Sequence, residues 1–202
     1  MEPSTLDALT QAVLGRIFVP LEASGRHVHL PLEQSRLLFG HSLTQERPLS
    51  QPGQYLARER LTIRGPRGEF QKVAVLGPER SEAQVEISLT DARALGVRPP
   101  LRHSGNTQGS PGLTLVGTVG EITLEQGVIA ALRHIHLDPA SAERFGVKDK
   151  QLVSLQACTD RPVCFQEVLV RVREDFAPAA HLDIDEANAC GLQPGDLGRM
   201  LP

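Results

Sequence analysis

A short string with two histidines occurs twice in the chain, at Arg26–Leu30 and at Arg133–Leu137. Four of the seven histidines lie in these two copies, and in each copy a single residue separates the two imidazoles. On a β-strand this spacing places both side chains on the same face. Two neutral imidazoles on one face are a common start of a transition-metal site. The repeat therefore predicts either two metal sites or one site built from two halves.

The segments that follow the two copies align with one another and supply a third ligand to each. In this alignment Val85–Gly96 lies against Ala180–Gly191, so that Glu86 is opposite His181. Three protein ligands with an open fourth position are typical of catalytic zinc. A carboxylate in only one set would make the two sites unequal in charge. The predicted metal ligands are His27, His29 and Glu86 in one set and His134, His136 and His181 in the other.

One arginine is placed where it could bind an anion beside the first set. Arg80 lies six residues before Glu86, on the turn that enters the same strand. A guanidinium fork binds phosphate well, although a surface arginine in a turn is the alternative interpretation. The polar loop Ser104–Gly112 lacks the Gly-Lys-Ser/Thr sequence of a nucleotide-binding P-loop. The spacing alone leaves both interpretations of Arg80, the candidate catalytic residue, open, and no coenzyme-binding residue is assigned.

Short strands and short helices must position these side chains. A polar cap, a helix of one or two turns and a terminating glycine recur at Thr90–Val97, Pro139–Val147 and Asp185–Leu192, with a looser version at Leu32–Gly40. Strands are predicted between Gly/Pro turns, at 59–64, 71–76, 84–88, 113–116 and 165–172. This pattern predicts a mainly β protein with two small β-barrel domains capped by short α-helices.

The predicted domain boundaries follow the repeat. Residues 1–18 are predicted to form an amphipathic N-terminal helix, whose apolar stripe either packs on its own domain or docks to a larger assembly. The first barrel half spans 19–132 and the second spans 133–202. A strand near 19–25 is a candidate for joining the second barrel.

The composition is that of an ordinary globular protein, with 22% charged and 40% hydrophobic residues in a chain of 202. A net charge of -3, no Trp and one Tyr argue against a nucleic-acid partner. The chain has neither the roughly 18 consecutive apolar residues of a membrane span nor a secretory signal. Because Cys158, Cys164 and Cys190 form no C-x-x-C motif, we expect packing roles for them and a cytoplasmic location.

Eight strings of the sequence follow one another in a recognisable order: Arg26–Leu30, Leu49–Gln54, Leu76–Arg80, Gln84–Ser88, Ser104–Gly105, Gly127–Ala130, Arg133–Leu137 and Asp185–Ala189. Taken together they resemble the PduL-type phosphate acyltransferases, the phosphate propanoyltransferase family of phosphotransacylases. The resemblance extends from about residue 19 to residue 192. Two features depart from it, namely Gly25 where the family usually has Asn, and an unmatched end at Gly195–Pro202.

The resemblance implies a transferase that moves a propanoyl or acetyl group between coenzyme A and inorganic phosphate. It implies two zinc ions per chain in a site between two β-barrel domains, held by the six predicted ligands, with Arg80 handling phosphate. It also implies acyl-CoA and acyl phosphate as ligands. Members are often enclosed in bacterial microcompartments, so residues 1–18 are a candidate encapsulation peptide that would bind shell proteins.

The unequal charges of the two predicted sites fit this reaction. A three-histidine zinc site would keep its full positive charge for the coenzyme A sulfur. Arg80 and the Glu86 site would position phosphate and polarise the acyl carbonyl. Since no protein nucleophile is then required, we hypothesise direct transfer. Two alternatives stay open: a zinc-dependent ester or thioester hydrolase, and a non-catalytic zinc-binding scaffold protein of a microcompartment. Homo-oligomer formation also stays open.

Overall fold

The computed structural model describes Gly15 and residues 17–201, which divide into two compact units. The barrel unit comprises the described residues up to Ser24, Arg133–Leu182 and those from Glu186 onward. The open-sheet unit comprises Gly25–Leu132 and Asp183–Asp185. The helix predicted over residues 1–18 lies outside the described residues for most of its length, and at its end Phe18 begins a strand.

Short strands dominate the described part of the chain, and four short helices follow strands that carry or flank the predicted ligands. The helices are α1 (Leu32–Phe39), α2 (Leu89–Leu95), α3 (Pro139–Phe145) and α4 (Ile184–Cys190). The strands are β1 (Phe18–Ser24), β2 (His27–His29), β3 (Gln45–Pro48), β4 (Tyr55–Arg64), β5 (Glu69–Gly77), β6 (Gln84–Glu86), β7 (Leu101–Arg102), β8 (Thr114–Val116), β9 (Glu121–Thr123), β10 (Val128–Ala131), β11 (His134–Leu137), β12 (Leu152–Cys158), β13 (Cys164–Val172), β14 (Ala179–Asp183) and β15 (Leu197–Leu201).

The barrel unit contains a closed barrel of six strands in the order β1, β14, β11, β13, β12, β15. Strand β11 pairs in parallel with β13 and antiparallel with β14. Alternate residues of each strand point inward, so Val153, Leu155 and Ala157 of β12 are buried while their neighbours are not. These side chains belong to one apolar core that also contains Ile135 and Leu182.

The open-sheet unit contains nine strands in one curled sheet, in the order β7, β10, β6, β2, β5, β4, β8, β9, with β3 paired to β4. Its core contains Val28, Ile63, Val75 and Leu115, all fully buried. The prediction of a mainly β protein with barrel architecture and short helices is confirmed, and this second sheet has the form of a curled half-barrel. Its edge strands are β7 and β9, which do not pair with each other, so the sheet stays open.

The helices end where the sequence predicts. Gly40, Gly96 and Gly146 follow α1, α2 and α3 with φ of 82°, 77° and 68°, the left-handed conformation that glycine adopts most readily. The cap of α2 is Ser88, two residues earlier than the predicted start. No helix in the described part of the chain is long and apolar enough to cross a membrane.

The cysteines differ in burial. Cys190 is buried, in agreement with the predicted packing role, but Cys158 and Cys164 are exposed. The packing prediction is wrong for these two because they occupy outward-facing positions at the ends of β12 and β13.

Candidate functional site

The first predicted ligand set comes together on two paired strands of the open-sheet unit. Strand β2 carries His27 and His29, and its antiparallel partner β6 places Glu86 directly opposite His27. The three side chains are buried, and each offers a ligand atom within 4.8 Å of the others. We call this group the His-His-Glu cluster.

Hydrogen bonds to the backbone orient both imidazoles of the His-His-Glu cluster. The Nδ1 of His27 lies 2.8 Å from the carbonyl oxygen of Gly25, and that of His29 lies 3.2 Å from the carbonyl of Leu76. Because a carbonyl only accepts, each Nδ1 donates and each Nε2 is directed toward Glu86, whose Oε1 is 3.6 and 4.0 Å away. Three electron-pair donors that converge in this way fit a zinc ion among them.

Electrostatics favour the ligand forms of two of these side chains. Burial opposes ionisation of Glu86, but His27 and His29 hold the pKa of its carboxyl well below the usual range. Burial and the charges of His27 and Arg80 lower the pKa of His29. Burial also lowers the pKa of His27, yet the Glu86 carboxylate outweighs it and raises the pKa. A metal ion bound here would displace the proton that His27 otherwise shares with Glu86.

The second predicted ligand set comes together in the same way within the barrel unit. Strand β11 carries His134 and His136, and its antiparallel partner β14 places His181 opposite His134. The ring centroids are 4.7 to 5.1 Å apart, and the ligand atoms lie within 4.8 Å of one another. We call this group the three-histidine cluster. His181 lies opposite His134 in the same way that Glu86 lies opposite His27.

One histidine of this cluster has buried ring nitrogens without protein partners. Among the described residues, neither nitrogen of His136 has a hydrogen-bond partner, although both atoms are buried. Burial, neighbouring histidines and two arginines lower the pKa of His136 to about 2, so its ring is neutral. The ring stacks on Phe176, with centroids 3.9 Å apart and planes 19° apart. Buried nitrogens of this kind are costly unless something binds them, so they fit a metal ligand.

A carboxylate lies behind a second histidine of the same cluster. The Nδ1 of His181 is 3.5 Å from Oε2 of Glu22 on β1. A carboxylate on one ring nitrogen orients the other nitrogen toward a metal. Both predicted sets therefore form compact groups whose chemistry fits zinc.

The structure brings Arg80 to the His-His-Glu cluster. Its Nη1 donates to Oγ of Ser104 at 3.3 Å, and the Ser104 hydroxyl donates to Oε1 of Glu86 at 2.9 Å. Its charge is also among those that lower the pKa of His29. The side chain is half-buried beside the cluster.

Sequence reasoning missed one residue of this site, Gln84. Its buried amide donates to Oε1 of Glu86 at 2.5 Å and to Oγ of Ser104 at 2.8 Å, and it accepts from the backbone N–H of Gly105 at 2.6 Å. The available signal was its position two residues before Glu86, on the same face of the strand. The polar loop Ser104–Gly112 is therefore attached at its start to the ligand strand β6.

The part of the chain that contains both clusters and Arg80 also matches known proteins. A family model described as phosphate propanoyltransferase matches residues 20–193, most of the chain. The chain belongs to this family. It is a phosphate acyltransferase enzyme.

Relatives in the family cover nearly the whole chain. A phosphate propanoyltransferase of Thermotoga maritima is 54% identical over 177 residues, which is 86% of this chain and 84% of the relative. One from Enterococcus faecalis is 49% identical over 183 residues, 90% of this chain and 87% of the relative. One from Clostridioides difficile is 44% identical over 202 residues, 97% of each chain. The resemblance identified from the sequence is thereby confirmed.

Proposed function

We propose that this phosphate acyltransferase moves a propanoyl group between coenzyme A and inorganic phosphate, with a zinc ion at each cluster. The observation that carries the proposal is the pair of equivalent clusters, each with three ligand atoms within 4.8 Å. The printed name of the relatives supports propanoyl as the acyl group. Acetyl is the second acyl group to compare.

The donor sets suggest different roles for the two clusters. Bound zinc would stabilise the thiolate of coenzyme A and polarise the acyl carbonyl. The three-histidine cluster brings no negative charge of its own, which suits the binding of a thiolate sulfur. The His-His-Glu cluster has Arg80 beside it, which suits the binding of phosphate. The residues that would hold zinc are His27, His29, Glu86, His134, His136 and His181.

Arg80 supplies the contact to phosphate. Its guanidinium group would donate to two of the four phosphate oxygens and orient another toward the acyl carbon. A phosphate oxygen forms the new bond to that carbon, the carbon–sulfur bond breaks, and coenzyme A leaves as the thiolate. Ser104 holds the guanidinium group by accepting its hydrogen bond. We propose direct transfer without an acyl-enzyme, since this account assigns no role to a protein nucleophile.

The test combines metal analysis with an acyl-CoA assay. Purified protein should contain two zinc ions per chain and release thiol from propanoyl-CoA only when phosphate is present. Arg80→Ala should raise the KM for phosphate about 10- to 100-fold, because it removes a hydrogen bond to a charged group. The zinc content should stay unchanged. Arg58→Ala, which removes an exposed arginine of β4, should behave as the wild type.

Three other outcomes would contradict parts of the proposal. Thiol release that does not need phosphate would indicate a thioester hydrolase. An acyl-enzyme detected by mass spectrometry after mixing with propanoyl-CoA alone would refute direct transfer. A higher kcat/KM for acetyl-CoA than for propanoyl-CoA would change the assigned acyl group.

We also propose that residues 1–18 bind the shell proteins of a bacterial microcompartment. The amphipathic pattern of that segment supports the proposal. A fluorescent protein fused to residues 1–18 should co-localise with shells in cells that assemble them. The matched control carries Leu6→Asp and Leu9→Asp, which interrupt the apolar stripe. A diffuse signal from both fusions would refute targeting by this segment.

A further inference from the structure

The arginine that precedes each His-x-His pair makes an equivalent ion pair in both units. Arg26 donates through Nε and Nη2 to the two carboxylate oxygens of Asp91, at 3.0 and 2.6 Å. Arg133 donates through Nη1 to Oε1 of Glu186 at 2.8 Å. Each carboxylate lies five residues after the third ligand of its cluster and is the third residue of the following helix.

An aromatic ring completes each arrangement at an equivalent position. The guanidinium carbon of Arg26 lies 4.2 Å from the ring centroid of Phe70, and that of Arg133 lies 5.9 Å from the ring centroid of Phe165. Phe70 is four residues before the β5 partner of the first histidine in its pair, and Phe165 is four residues before the corresponding β13 partner. The whole set of contacts therefore occurs twice in one chain.

In the open-sheet unit the ion pair lies where the ligand strand ends. Strand β6 ends at Glu86, and the chain then turns into α2. Arg26 precedes His27 and extends past the end of the ladder to Asp91. The N–H of Asp91 in turn donates to the Ser88 hydroxyl at 3.1 Å. These contacts connect the histidine strand to both sides of the turn that follows Glu86.

The barrel unit repeats this connection with a different third ligand. Strand β14 carries His181 and leads into α4, whose third residue is Glu186. Arg133 precedes His134, the residue opposite His181, and reaches Glu186 beyond the end of the ladder. Its Nε and Nη2 also donate to the carbonyl of Gln166 on β13, at 3.0 and 2.7 Å.

We propose that Arg26–Asp91 and Arg133–Glu186 are positioning pairs, each of which holds the third metal ligand against its His-x-His strand. This inference rests on the proposed zinc binding by the two clusters. None of the four side chains is a predicted ligand, so they act through the segments that carry the ligands. The arginine and carboxylate side chains are 39% and 5% exposed in the first pair and 29% and 19% exposed in the second. Asp91 is nearly buried and bonded by two arginine nitrogens, so its pair contributes to stability as well, and melting temperatures are needed to separate that contribution from the positioning of the ligand.

The test measures zinc affinity at one site at a time, by competition with a chromophoric chelator. The first site is measured in a His134→Ala background and the second in a His27→Ala background. Asp91→Asn should weaken zinc binding at the first site about 10-fold and leave the second unchanged, and Glu186→Gln should do the reverse. The matched control is Glu46→Gln, which breaks an ion pair with Arg60 on strands β3 and β4 that carry no ligand. It should change neither affinity.

A double variant distinguishes positioning from a general loss of stability. Arg26→Met combined with Asp91→Asn should weaken the first site no more than Asp91→Asn alone, because both hydrogen bonds that the Arg26 side chain donates go to Asp91. Melting temperatures of the metal-free variants provide the structural control. Equal weakening of both sites by either single variant, or a loss of affinity that only parallels a fall in melting temperature, would overturn the positioning role. If the wild type binds two zinc ions but the ion-pair variants keep their zinc affinities, this inference alone is overturned. A wild-type protein that binds no zinc would overturn the proposed function as well.

Discussion

Replacing Gln84 with leucine tests whether one buried amide holds the Glu86 carboxylate and the loop that begins at Ser104. The Gln84 side chain is 2% exposed, and its amide contacts Glu86, Ser104 and Gly105. Gln84→Leu keeps a large side chain at this position but removes all three hydrogen bonds. We expect the metal-free protein to lose stability and the start of the loop to open.

The contacts that remain set the size of the effect. A hydrogen bond to a charged group contributes roughly 1.5 to 3 kcal/mol, and the bond to the Glu86 carboxylate is of this kind. Ser104 still donates to Glu86, and Gly105 is exposed, so water can replace its lost acceptor. The expected loss is therefore about 2 kcal/mol, near the lower end of that range. For a protein of this size, that corresponds to a fall in melting temperature of about 4 to 8 °C.

Two measurements and one control test this reasoning. Calorimetry of the metal-free protein gives the melting temperature, and hydrogen exchange at the Gly105 amide reports the loop. Gln71→Leu is the matched control, because Gln71 donates to Glu69 at 3.0 Å on an exposed surface and should cost less than about 0.5 kcal/mol. Equal melting temperatures for the two variants, with unchanged exchange at Gly105, would refute the role assigned to Gln84.

Further predictions concern the aromatic ring beside the three-histidine cluster and a closely packed glycine. Phe176→Leu removes the ring stack on His136, which is worth about 0.5 to 1.5 kcal/mol. Zinc affinity at the three-histidine cluster should therefore fall about 2- to 13-fold in chelator competition. A fall in zinc affinity at the His-His-Glu cluster would contradict this reasoning. Gly112→Ala should unfold the protein at a markedly lower temperature, because a Cβ there would overlap the carbonyl oxygen of Leu124. Gly25→Ala, where a Cβ meets nothing within 4 Å, should melt as the wild type does, and similar melting of the two alanine variants would contradict the packing argument.

The parts of the fold and site that follow from local rules were predictable. Alternation along a strand places His27 and His29 on one face. The internal alignment identifies Glu86 and His181 as equivalent residues, each opposite the first histidine of its pair. Glycine after a short helical pattern predicts the helix ends, as at Gly96. These features depend on residues near one another in sequence or on a repeated pattern, so one chain is enough to reveal them.

Features that depend on packing between distant segments were not predictable. The stack between His136 and Phe176 joins a strand to a loop 40 residues later, and no local pattern relates them. The sequence offered the strand near 19–25 as a candidate for the second barrel, but nothing in it indicated that the other sheet stays open. Closure depends on the pairing of β1 with β15, from opposite ends of the described chain. The amide of Gln84 had no assigned role because its partners lie on a loop that folds back onto β6.

The pairing of β1 with β15 also determines when each unit can fold as the ribosome releases the chain. All nine strands of the open sheet lie between His27 and Ala131, so that sheet is complete while the second half is still being translated. Strand β1 emerges before any of them, yet its partner strand ends at Leu201. Because domains fold as units and usually in the order of their synthesis, β1 must wait for its partner until β15 has been translated. The barrel should therefore become resistant to proteolysis later than the open sheet in a nascent chain.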